Sequence, residues 1–210
     1  MARIDDYKES FRLAAVELEK KDAASLAEAA GAEFSPEKGL TVPFLGSRYT
    51  VQIHPETDIR KIDSNDEIPL PDKILIAHYL LGSVGNKSTG RLITFRQVRD
   101  GHFYFDAFQR RARDPFASFF GNNGQLFMKC AEMMGGVPMN NGDFSMEFVV
   151  FPHVRVQLVL WSGDEEFPPE ATILFDESIQ GLLSAEDIAV LSGSLVYRLI
   201  GLGRKIQAGA

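Results

Sequence analysis

The feature that most constrains this chain is a period of two in "DFSMEFVVFPHVRVQLVLWSGDEEFPPEATILFD", residues 143–176. Phe144, Met146, Phe148 and Val150 fall on one side of an extended backbone, and Val154, Val156, Leu158 and Leu160 do the same after Pro152-His153. Side chains alternate across a strand, so each of these sets forms one apolar face that must be buried. "ATILFD" adds a third run, and short connections between consecutive strands favour an antiparallel meander. On this reading residues 162–170, which carry Asp164, Glu165 and Glu166 in a row, join two strands. A connection runs over the surface, where water solvates charge.

The first part of the chain carries other periods. Ile4, Tyr7, Phe11, Ala14 or Ala15, and Leu18 recur at three- and four-residue steps, the mark of an amphipathic helix. Asp22 is placed to cap a second, alanine-rich helix that Gly31 can end in the left-handed conformation. The period then switches to two: Leu40, Val42 and Phe44, a turn at Leu45-Gly46-Ser47, then Tyr49, Val51 and Ile53 read as a hairpin. Pro43 lacks an N–H and points to an edge or a bulge. A third helix is expected over 72–81 after a proline-rich start, and "RLITFRQV" reads as a strand. Two or three helices follow, broken at Asp114-Pro115 and at Gly121-Asn122-Asn123-Gly124. Ser184 and Asp187 frame a capping box for a closing helix of roughly 18 residues.

Helices and strands come in blocks rather than in strict alternation, which predicts an α+β fold. The expectation is a single domain over 1–210, led by a helical pair at 1–31. It has an antiparallel sheet that includes the C-terminal-half meander, with a mixed sheet left open, packed with about six helices. A chain of 210 residues can bury on the order of 70% of its unfolded surface.

Charge narrows the partners. A formal net charge of -7 opposes non-specific binding to nucleic acid or to anionic membranes, which need a positive surface. The single cysteine, Cys130, rules out an intrachain disulfide or a four-thiolate cluster built by this chain alone. With no run of eighteen uncharged apolar residues, the expectation is a soluble cytoplasmic protein.

Several stretches suggest chemistry. Asp164, Glu165 and Glu166 offer six oxygens to a hard cation but lack alternate-ligand spacing, so a solvated or Arg-paired turn is the simpler reading. His78 lies on the apolar stripe of its helix with Tyr79 about 100° away, and the four histidines show no metal-ligand spacing. Arg110, Arg111 and Arg113 stand among phenylalanines, an interleaving that can stack bases and neutralise phosphates or meet an anionic small ligand, but the three- and four-residue steps of the phenylalanines suit a packed core with solvated arginines. "GSVGNKSTG" lacks the spacing of a phosphate loop and follows a helix instead of a strand. Cys130 lies in an apolar run, where a thiol is an inert small hydrophobe.

"ILIAHYLLGSVG", "TGRLITFRQVRDGHFYFDAF", "FPHVRVQLVLWSGDEEFPPEATILFD" and "LSAEDIAVL" together resemble the uncharacterised bacterial and archaeal family called domain of unknown function 3786, found mostly in anaerobes. The resemblance spans roughly residues 30 to 205, with 32–205 taken as the family-like region. Some relatives look like fusions to a small iron-sulfur module, which implies work near redox or one-carbon metabolism; with Cys130 alone, any such cluster would belong to a partner. Carried over residue by residue, the resemblance points to His78, Tyr79, Phe95, Arg96, Tyr104, Phe108, Arg111, Trp161, Asp164, Glu165, Glu166, Phe167, Pro168 and Asp176.

The leading expectation is a non-enzymatic accessory or small-ligand-binding module. In it His78, Tyr79, Arg96 and Arg111 would meet an anionic small molecule, with Asp164, Glu165 and Glu166 at the rim. One alternative is a divalent-metal-dependent hydrolase or transferase using the 164–166 turn and His78. Another is a structural partner of an iron-sulfur protein, for which an exposed Phe-rich patch would be the sign. No cofactor is assigned, and whether a reaction is catalysed stays open.

Overall fold

Elements form in the computed structural model where the sequence periods change; it describes residues 4–64, 66–85 and 88–209. Asn86 and Lys87 of "GSVGNKSTG" lie outside the described residues. The chain divides into two compact units, Met1–Ser88 with Val150–His153 and Gly181–Leu183, and Thr89–Val149 with Val154–Gln180 and Ser184–Ala210.

In the first unit α1 (Ile4–Leu18) and α2 (Ala23–Ala30) begin the chain. Asp22 Oδ1 accepts from the Ser25 amide at 2.9 Å, and Gly31 ends α2 with φ 62°. Both ends therefore form where the polar cap and the glycine predict them. Four antiparallel strands follow: β1 (Glu33–Ser35), β2 (Gly39–Phe44), β3 (Ser47–Gln52) and β4 (Asp58–Lys61), in sheet order β1-β2-β3-β4. The β2–β3 turn is narrower than expected. Leu45 and Gly46 alone form it, both with positive φ (46° and 74°), the turn shape that matches the twist of a hairpin.

Pro43 does not mark an edge strand, because β2 lies between β1 and β3. It is tolerated for a local reason. Phe44 and Ser47 close the hairpin as a hydrogen-bonded pair, so the next pair, Pro43 and Arg48, turns its backbone groups outward. On that side β1 pairs no further along β2 than Thr41. Beyond the sheet, α3 (Leu70–Gly82) starts with Pro71 in its first turn and buries Ile74, Leu75, Ile76, Tyr79 and Leu80. It packs against α1, while Leu40, Val42, Phe44, Val51 and Ile59 fill the inner face of the sheet.

The second unit holds a five-stranded antiparallel sheet in the order β5-β9-β8-β7-β6. Its strands are β5 (Leu92–Thr94), β6 (Val137–Pro138), β7 (Phe144–Phe151), β8 (Val154–Trp161) and β9 (Glu170–Asp176). The period of two is therefore what it looked like: Val156, Leu158 and Leu160 pair across to Phe175, Ile173 and Ala171 on one face. "RLITFRQV" is a strand only at its start. Gln97 Oε1 accepts from the amide and hydroxyl of Thr94, and this capping box bends residues 95–97 into a 3-10 turn.

Helices α4 (Gly101–Phe108), α5 (Asp114–Phe120) and α6 (Gly124–Met133) each pack on the closing helix α8 (Ala185–Gln207), and α5 also meets β9. The short α7 (Ile179–Leu182) precedes α8. Asp114-Pro115 does not break the chain there. A π-helical turn, Gln109–Arg113, carries α4 into α5, and Pro115 falls in the first turn of α5, where a missing N–H is least costly. The glycine-asparagine break before α6 does occur, and Asn123 caps that helix through Leu126 N. Much of the phenylalanine content lines this layer: Phe95 stacks on Phe108 at 4.2 Å, and Phe116 meets Phe127 edge-on at 4.8 Å. Ser184 and Asp187 form the expected box, and α8 runs longer than expected, for 23 residues.

The fold is α+β with two antiparallel sheets. Among the described residues no helix is long and apolar enough to cross a membrane.

Candidate functional site

The connection from β8 to β9 is the most distinctive surface of the second unit. β8 ends at Trp161, which pairs with Glu170, so residues 162–169 bulge out beyond the last rung of the ladder. Asp164, Glu165 and Glu166 are all exposed on this bulge, as the solvated-turn reading requires. Asp164 also organises it. Its Oδ1 accepts from the amides of Glu166 at 2.8 Å and Phe167 at 2.7 Å, while its own amide donates to Phe167 O. Those backbone donors favour the ionised form and hold the carboxyl of Asp164 below its ordinary value.

Pro169 fixes the other end of the turn. A Cβ on Gly121, at the end of α5, would lie 2.3 Å from the Pro169 ring, and one on Gly163 would lie 2.7 Å from it. The ring therefore occupies space that only two glycines leave open. The result is a fixed turn that leaves Phe167 67% exposed and Trp161 40% exposed. Beside it lies a concavity of about 390 Å³, walled by Arg113, Asp114 and Ala117 on one side and by 168–171 on the other. Arg113 Nη2 pairs with Asp114 Oδ1 at 2.8 Å, leaving its side chain 40% exposed.

The other residues singled out from the sequence distribute as follows. In the first unit His78 is half-buried on α3. Tyr79 is fully buried, its hydroxyl donating to Ala30 O at 2.7 Å and accepting from the His153 amide at 3.3 Å. Burial pushes the phenol up to about 12. In the second unit Arg96 is exposed, with its guanidinium 4.0 Å from the centre of the Phe105 ring, a cation-π contact. Arg111 is half-buried on the π-helical turn, where its backbone meets Gly193 of α8. The concavity gathers none of these. Its guanidinium comes from Arg113, two residues after Arg111.

Asp176 is buried at the end of β9 and accepts from the amides of Thr89, Gly90 and Ser178 and from the Thr89 hydroxyl. It ties the strand to the segment leading into β5. Cys130 is buried, which raises its thiol above the ordinary value. Among the described residues no group of three or more His, Cys, Asp or Glu is arranged to hold a metal ion.

A family model described as "Domain of unknown function (DUF3786)" matches residues 22–198, most of the chain. The chain belongs to the DUF3786 family. No curated protein and no solved structure matches it. The match covers the 161–170 turn, both strands that carry it and the α5 wall of the concavity, so the whole of this candidate site falls within the DUF3786 region.

The sequence alone singled out Arg113 only as part of the 110–113 basic run, and did not single out Asp114, Pro169 or Glu170 as site residues. One signal was available: "PPE" beside an acidic run, with glycines at 121 and 163 free to receive a proline ring.

Proposed function

We propose that this DUF3786 chain is a non-enzymatic accessory module that docks a partner protein through the β8–β9 turn of its second unit. The observation that carries the reading is the exposure of Phe167 on a turn fixed by Asp164 and by Pro169. A large aromatic held out in water on a rigid support pays little ordering entropy when it is buried by a partner, which is the character of an interface anchor. Trp161 and the concavity beside Pro168 extend the same surface. The three carboxylates beside Phe167 favour a partner face bearing Lys or Arg.

An iron-sulfur protein of anaerobic redox or one-carbon metabolism is the partner class the family resemblance suggests. The cytoplasm is the compartment that suits a lone, buried thiol.

A second reading rests on Arg113. Its guanidinium is half-exposed in the concavity and already paired with Asp114, so an anionic small molecule would have to displace that carboxylate and sit beside Glu170 on the opposite wall.

Affinity capture from the native cells, with wild type and Phe167→Ala compared side by side, tests the docking reading. One protein retained by wild type and lost from the variant, at unchanged melting temperature, supports it. Equal retention by both removes the turn from consideration. Thermal shift against organic acids, flavins and nucleotides, abolished by Arg113→Ala, would favour the small-molecule reading instead. Stoichiometric bound metal in the purified protein, or a melt lowered by EDTA, would favour the metal-dependent hydrolase.

A further inference from the structure

We draw no further inference here: the strongest candidate, the groove of about 230 Å³ along β4 in the first unit, walled by Asp58, Lys61, Asp66, Glu67 and Lys73, carries charges of both signs and nothing in the structure shows what covers it.

Discussion

Tyr79 lies flat on Phe151, their ring centroids 4.2 Å apart and their planes 7° from parallel. Phe151 in turn stacks on Phe44 at 4.5 Å, so a column of three rings runs through the first unit with the Tyr79 hydroxyl at one end. Tyr79→Phe keeps the column and removes only the oxygen. The Ala30 carbonyl and the His153 amide then lose a partner, at a cost of about 1–3 kcal/mol. Urea unfolding should show that loss with an unchanged m-value.

The same burial predicts an alkaline limit. The folded-state pKa of Tyr79 is raised from 10.0 to about 12, so between these values the folded chain holds a proton that the unfolded chain has released. Stability is therefore undiminished by this group below pH 10 and falls as pH rises towards 12. Ultraviolet titration of tyrosinate should show one of the five tyrosines ionising last and together with unfolding; in Tyr79→Phe that late step should be missing.

Asp176 predicts a local opening. Replacing it with Ala strips three backbone amides and the Thr89 hydroxyl of their acceptor at a buried position, and hydrogen bonds to a charged group are worth about 1.5–3 kcal/mol each. The expected outcome is faster amide exchange at Gly90 and Ser178 and a loss of at least ~2 kcal/mol in global stability. An Asp176→Ala protein with wild-type exchange at both amides would contradict this role.

Much of the fold was legible because its devices are local. Asp22 and Gly31 bound one helix, Ser184 and Asp187 start another, and alternation from Phe144 to Phe175 names the face that Val156, Leu158 and Ile173 share. Where sequence reading went astray, a neighbour decided the outcome. Pro43 looks like an edge residue until β1 is found to end early beside it, and Pro115 looks like a break until a π-helical turn absorbs it. The site was legible only in part. The acidic turn was placed on the surface correctly, but the concavity between Arg113 and residues 168–171 needs the β8–β9 turn to lie against α5, and the Pro169–Gly121 approach that goes with it joins residues nearly fifty positions apart, which no local pattern encodes.

That contact gives a fourth prediction. Gly121→Ala would drive a methyl group into the Pro169 ring and displace the turn. Trp161 is the chain's one tryptophan and stands at the foot of the turn, so its emission should shift in Gly121→Ala while far-ultraviolet dichroism stays at the wild-type level.

Acid should loosen the same turn. The lowered pKa of Asp164 means that its contribution is present above the ordinary carboxylate value of 3.8 and is lost as pH falls through the lower, folded value. A proton titration of the Asp164 carboxyl should show a midpoint below 3.8, and Asp164→Asn should remove the pH dependence of the Phe167 amide shift.

The central claim is that a partner covers the β8–β9 turn, and hydrogen exchange of the chain with and without a partner captured from native cells tests it most directly. The account predicts new protection at 161–170 and at 113–117, with the remaining segments unchanged. Protection elsewhere, with Glu166 and Phe167 exchanging as fast as in the isolated chain, would contradict it.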